Sequence, residues 1–422
     1  MRPFPHPSER GFSMVELMVA MLIGLIGMII IFQVFEVSEG IKRSTTSGGD
    51  AQQNGAVALY VMEHDLRNAG MGFNDAPYAG CNILAFDSQR ATPNFTMTLV
   101  PALITPGAAA TLPDRLTVFY GSKPLIANAT MLLGNTAPPP ADPLQLMNSY
   151  AYRPGDLLVL LEPASGKNCS LMEATNVAAT TVNHDSGVGY TLVGPPITNQ
   201  TARFNQAGGL GVLYLGSAAG ANATRVFNLG NLYEPAGAPN IPVYNTYAID
   251  ASNALTVSSA FVVDPVTSAP QVSAVADNIV QLRAQYGIDD GVGDLASVPF
   301  GGGTFVAGDG LVDRFVSAAA FNAIVPTPPW QSLIAVRLAI VARSALAEKP
   351  LGSDGPKCDA TTDGTESGTP TPPDRRPRWS GGVIDVSASG DPDPASLLYW
   401  KCYRYRVFET TIPLRNWIWK SS

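Results

Sequence analysis

Charge is scarce in this sequence. Asp, Glu, Lys and Arg make up 14% of its 422 residues, and 26 basic against 34 acidic side chains leave a formal net charge of -8. A chain this poor in cations offers no broad electrostatic surface to nucleic acid, so no nucleic-acid partner is expected. Histidine is scarcer still. The three are His6, His64 and His184, and only His184 falls in the part expected to be globular. Asp185 follows it, but there is no Gly-x-Ser-x-Gly elbow and no His-Glu-x-x-His helix, which removes the usual nucleophile and metal-peptidase arrangements. Gly166-Lys167 is followed by Asn168 and lacks the preceding glycine spacing of a phosphate loop. No catalytic residue is assigned, the chain is expected not to be an enzyme, and no repeat of fixed period is evident.

What is present begins at the N-terminus. Residues 1–11 are polar, carrying Arg2, His6, Glu9 and Arg10, and have none of the apolar stretch that a secretory signal loses on cleavage. From Phe12 to Phe35 the only charge is Glu16, and as a helix at about 1.5 Å per residue this run reaches roughly 36 Å, enough to span a bilayer. Arg2 and Arg10 precede the span and Glu36 and Glu39 follow it, so the positive-inside bias puts the N-terminus in the cytoplasm and exports the rest. A plain signal anchor shares this hydropathy. Glu16 does not suit one, because an unpaired carboxylate deep in an apolar helix costs on the order of 2.5 to 3.5 kcal/mol. Cleavage between Gly11 and Phe12 would create an α-amino group at Phe12 within reach of Glu16 along the helix. In a stacked array the same carboxylate can meet a neighbour's amine and set the axial register.

Gly11-Phe12-Ser13-Met14-Val15-Glu16-Leu17 resembles the prepilin processing motif of type IV pilins and of type II secretion pseudopilins. The resemblance implies cleavage after Gly11, N-methylation of Phe12 and subunit registration by Glu16. It also implies an α+β, type IV pilin-like fold, with a long N-terminal hydrophobic helix packed on a large β-rich globular domain. The expected divisions are a leader at 1–11, a transmembrane and filament-core helix at 12–35, its exposed continuation at 36–71, and an extracytoplasmic domain at 72–422, in one or two subdomains. Apolar recurrence at Ala56, Leu59, Tyr60, Met62 and Leu66 continues the helix. Ser44 to Asp50 is poor helix material, so a break or melted turn is expected there, with Asp50 capping a resumed helix and Gly70 and Gly72 ending it.

Beyond residue 72 short strands separated by Gly, Pro, Asn and Asp are expected, for example Leu157–Leu161, Gly211–Leu215 and Val257–Val263. Polar or glycine-rich stretches at Pro138-Pro139-Pro140, 301–310 and 350–377 are expected to be loops. Val336, Leu338 and Ile340 alternate with Arg337, Ala339 and Val341, a strand with one apolar face. The ending from Tyr403 through Trp419, the pieces Ser47–Gln52 and Glu63–Arg67, and Tyr286-Gly287-Ile288-Asp289 resemble PilW minor pilins. The middle, from about 85 to 270, carries no such likeness. The cysteines at 81, 169, 358 and 402 form no C-x-x-C pair. An even count in an exported chain points to two disulfides with three possible connectivities, and joining sequence neighbours, Cys81 to Cys169 and Cys358 to Cys402, closes the shorter loops. Asp289, Asp290, Asp294, Asp309 and Asp313 lie in a glycine-rich stretch and form a candidate calcium set beside the ordinary turn reading; no other cofactor is expected.

Resemblance to PilW implies a minor pilin that joins a complex priming pilus assembly, located at the tip and supporting adhesion and twitching motility. The implied partners are other minor pilins, the major pilin, prepilin peptidase, the inner-membrane assembly machinery and a large tip adhesin. The precursor would sit in the bacterial inner membrane before moving to the pilus. A type II secretion pseudopilin, or an anchored adhesin or carbohydrate-binding module, are the alternatives.

Overall fold

A computed structural model describes residues 11, 13–73, 79–123, 129–134, 143–163, 165–192, 198–215, 223–233, 240–290, 298–299, 306–307, 310–324, 330–348, 358, 360–364, 373–394, 396 and 398–418. One helix of 55 residues, Met14–Asn68, leads into a β-rich body. From Met14 to Ile41 its large apolar side chains are exposed. From Ser47 onward it is covered along one stripe: Ser47, Ala51, Gly55, Ala58, Met62, Leu66 and Ala69 are buried. Their spacing of three and four residues is one helical face.

The expected break at Ser44 to Asp50 does not occur; the helix runs through it. The Thr45 hydroxyl donates back to the Ile41 carbonyl at 2.8 Å, satisfying itself within the helix. The small residues that weaken local propensity also make the contact. Ser47 and Ala51 are buried, and a Cβ on Gly55 would lie 2.1 Å from the Phe408 ring, so glycine lets the helix press against a strand. The large residues Tyr60 and Val57 face outward instead, Tyr60 with 70% exposure.

Three antiparallel or mostly antiparallel sheets form the body. A four-stranded sheet orders Arg314–Ser317, Ile279–Ile288, Leu333–Arg343 and Tyr405–Pro413, and the helix packs on its last two strands. Val336, Leu338, Ile340 and Ile412 join the main core with Met62 and Leu66. On the other face Ala339 and Val341 pack with Val280, Ile384, Val386 and Trp400, so this sheet is covered on both sides. A five-stranded sheet orders Pro270–Ala276, Leu255–Val263, Val243–Ile249, Arg115–Tyr120 and Ala102–Thr105.

The third sheet has six strands, in the order Asn94–Thr98, Asn82–Phe86, Cys169–Glu173, Asp156–Leu161, Arg225–Asn231 and Thr130–Met131. Every residue of Asp156–Leu161 is buried. Leu157 and Val159 face the main core while Leu158 and Leu160 face a second cluster with Leu144, Leu146, Tyr152 and Tyr214. The expected strand Gly211–Leu215 is absent apart from an isolated bridge at Tyr214. Gly211 is left-handed at φ +77, outside the extended region. The Pro138–Pro140 loop lies outside the described residues, as does most of 301–310 and of 350–377.

Candidate assembly site

The helix begins with a reciprocal cap. Ser13 is the N-cap; its hydroxyl accepts the Glu16 backbone N–H at 3.3 Å, and the Glu16 carboxylate accepts the Ser13 backbone N–H at 3.4 Å. This arrangement satisfies two of the N–H groups that a helix start leaves open, and the acid lies at the positive end of the helix dipole. Glu16 therefore folds back toward the N-terminal side of the helix. Gly11 is exposed, with nothing within 4 Å of where a Cβ would stand. Phe12 lies outside the described residues.

At its other end the helix is fixed to the five-stranded sheet by a buried acid. The Asp65 carboxylate accepts hydrogen bonds from Tyr247 at 2.7 Å, Tyr120 at 2.9 Å and Asn245 Nδ2 at 2.9 Å. His64 Nδ1 lies 3.5 Å away at the exposed rim. Burial first, and then the Asp65 charge, push the pKa values of Tyr120 and Tyr247 well above the ordinary phenol value, so both remain hydrogen-bond donors. Sequence reading missed this node because its donors come from residues 120, 245 and 247. The one available signal was an acid beside a run of buried-face positions.

The last described turn, Arg415–Ile418, covers the same end. Asn416 Nδ2 donates to the carbonyls of Asn68 at 3.1 Å and Arg67 at 3.3 Å, completing groups that the helix leaves open. Trp417 is fully buried, its ring 6.1 Å from that of Phe73, and its Nε1 donates to the Trp330 carbonyl at 3.2 Å.

Two disulfides brace the body. Cys81 is bonded to Cys169 beside the parallel pairing of Asn82–Phe86 with Cys169–Glu173, and Cys358 is bonded to Cys402. Around the second, Glu348 N–H donates to the Cys402 carbonyl at 2.7 Å and Lys401 pairs with Asp363 at 3.0 Å. Of the candidate calcium residues, Asp294 and Asp309 lie outside the described residues. Asp289 accepts from Gly310 N–H at 2.8 Å, Asp313 from Asp290 N–H at 2.8 Å, and Asp290 from Arg314 Nε at 2.7 Å. Among the described residues no group of three His, Cys, Asp or Glu side chains is placed to hold a metal. His184 is buried in the middle region.

Residues 6–32 match the family described as prokaryotic N-terminal methylation motif, and residues 246–416 match type IV pilus-assembly protein W. Comparison with curated proteins and with solved structures returned no match. A helix bare along its apolar first half and docked by its second half on a large β-rich domain, headed by a methylation motif, defines the α+β type IV pilin-like class. Within that class, residues 246–416 are similar to the PilW-type minor pilins of the type IV pilus, and the two matches together support a prepilin-like minor pilin. The methylation motif and the apolar helix fit an inner-membrane-anchored pilin, and the type IV pilus minor pilin family implies assembly with other pilins and maturation by prepilin peptidase.

Proposed function

We propose that the chain inserts with its N-terminus in the cytoplasm, loses residues 1–11 between Gly11 and Phe12, and enters the filament through the bare half of its helix. The new Phe12 amine, N-methylated, neutralises Glu16 within the helix or in an adjacent stalk and fixes the axial register. The body, residues 72–422, is periplasmic before assembly and surface-exposed afterwards. There it joins other minor pilins in a complex that primes assembly on the inner-membrane machinery, sits at the tip above the major pilin, presents a large adhesin, and supports adhesion and twitching.

The observation that supports this reading most is the uncovered stretch Met14–Ile41. Its large apolar side chains have no partner within the described chain, and Glu16 is the only acid in its first turn. In a bundle of like helices, protein replaces lipid around them. Mass spectrometry of the mature N-terminus is expected to find methylated Phe12 in cells with prepilin peptidase and residues 1–11 retained without it. Glu16→Ala is expected to lower incorporation into pili by tenfold or more, about 1.4 kcal/mol or above in the assembly equilibrium. Retention of the leader in mature pili, or unchanged incorporation of Glu16→Ala, would end this account. Lost protein secretion with twitching intact, on deletion, would move the chain to a secretion filament.

A further inference from the structure

The six-stranded sheet holds a buried polar cluster around one carboxylate. Asp156, at the start of Asp156–Leu161, is 1% exposed. Its Oδ1 accepts from Asn231 Nδ2 at 2.8 Å; its Oδ2 accepts from Asn228 Nδ2 at 2.6 Å and from the Arg153 backbone N–H at 2.9 Å, and faces Lys123 Nζ at 3.7 Å. Lys123 Nζ and Asn228 Nδ2 also donate to one carbonyl, that of Ala151, the amide at 2.9 Å. Two nitrogens that share the same two oxygen partners are neighbours, so a primary amine lies beside a buried carboxamide. Asn228 Oδ1 in turn accepts the Gly230 backbone N–H at 2.9 Å.

The backbone is shaped to bring these groups together. Arg225–Asn231 is irregular between Asn228 and Gly230 in its pairing with Asp156–Leu161, a bulge that re-aims the Asn228 side chain. Gly230 has φ +119, and a Cβ there would stand 2.3 Å from Ser122 Oγ and 3.0 Å from the Lys123 nitrogen. Glycine alone lets residues 122 and 123 run this close, and Ser122 N–H donates to the Leu229 carbonyl at 2.7 Å. The Lys123 side chain is 20% exposed and Asn228 is buried.

We propose that Lys123 and Asn228 become joined by an intramolecular isopeptide bond, with Asp156 carrying the proton. The neutral Lys123 Nζ attacks Cγ of Asn228 with its lone pair. Asp156 Oδ2, facing both nitrogens, takes a proton from Nζ and delivers it to Nδ2. The Cγ–Nδ2 bond breaks and ammonia leaves. Gly230 N–H points at Oδ1, where negative charge gathers in the tetrahedral intermediate. A lysine amine and a carboxamide thus become one secondary amide and ammonia, and the step consumes no oxidant, metal or co-substrate. The product ties the segment leaving the five-stranded sheet to Arg225–Asn231, at the opposite side of the six-stranded sheet from the Cys81–Cys169 bond.

An ordinary ion pair would use the same contacts, so the test reads covalent structure. The full chain is purified, its disulfides are reduced, and its intact mass is compared with that of Lys123→Arg. After allowing for the substitution, the wild type is expected to be lighter by one ammonia, about 17 Da, and its digest to contain a branched peptide joining the segments of Lys123 and Asn228. Asp156→Asn, shown to be folded by retention of both disulfides and wild-type circular dichroism, is expected to lack the branch. A wild-type chain of full mass with no branched peptide overturns the proposal irrespective of how the variants fold. So does a mass deficit that persists in Lys123→Arg.

Discussion

The two halves of the N-terminal helix belong to one unbroken element and are both apolar, yet they differ in the size of what they present. The first half offers Met, Leu, Ile, Val and Phe outward, all bare. The second half turns Ser47, Ala51, Gly55 and Ala58 inward and leaves Tyr60 outside. Large side chains suit a fluid or repeated environment in which many partners are acceptable. Small ones suit a single fixed partner, because they let backbones approach until one strand fits the groove. From Ser47 to Ala58, side-chain volume more than hydrophobicity therefore distinguishes the docked stretch from the bare one, before the larger Met62 and Leu66 enter the core.

This contrast can be broken at several points. The largest effect is expected at Asp65, where Asp65→Ala leaves two phenols and an amide without their acceptor and lowers stability by about 3 to 5 kcal/mol. Urea unfolding of the purified chain measures it, and a loss below about 1 kcal/mol would show that the node does not hold the helix to the sheet. A smaller effect is expected at Gly55. Replacing glycine in a helix ordinarily gains about 1 kcal/mol, but at Gly55→Ala the new methyl overlaps the Phe408 ring, and overpacking by about 1 to 3 kcal/mol exceeds that gain. Gly24→Ala, with nothing within 4 Å, should show no loss. Equal behaviour of the two variants would remove the distinction between the halves.

The smallest effect concerns the middle region, where polar groups replace small residues as the fixing device. Glu173 is fully buried and accepts from Tyr190 at 2.6 Å, Arg203 N–H at 2.7 Å and Phe204 N–H at 3.0 Å. Burial raises its carboxyl above the ordinary value, and these hydrogen bonds only partly oppose the rise. The folded chain keeps the proton at a pH where the unfolded chain has lost it. The resulting stability is present below the ordinary carboxylate value, declines as pH rises through the raised one, and is absent above. Glu173→Gln should flatten that decline in melting temperature against pH; a difference between wild type and variant that grows toward acid pH instead would reverse the sign.

The parts legible from sequence were those whose physics is local. The methylation motif, the long apolar helix that follows it, and the strand through Val336 to Val341 each show within a few residues. The helix through Ser44 to Asp50 departs from the expectation because propensity counts glycine and serine as breakers, whereas the helix on both sides carries it through, with Ser47 and Ala51 buried although a Cβ on Gly48 or Gly49 would meet nothing within 4 Å. Gly211–Leu215 looked like a strand by composition, but Gly211 lies outside the extended region. The middle region stayed opaque for a different reason. Asp87, Asp156 and Glu173 carry no local mark of burial in the sequence, yet all three are buried. Arg203 reaches Asp87 with two bonds of 2.6 Å and the Phe261 carbonyl with a third of 3.0 Å, joining the six-stranded and five-stranded sheets. Partners supplied by other strands and loops leave no local pattern.

Asn416 imposes an order of events. The carbonyls it reaches belong to Arg67 and Asn68, residues that a ribosome delivers some 348 positions earlier. Until that late turn arrives the rear of the stalk is an unfinished joint, open to water on one side. A nascent or prematurely ended polypeptide would thus carry a loose neck, giving the cell's quality control a mechanical difference by which to sort incomplete subunits from finished ones.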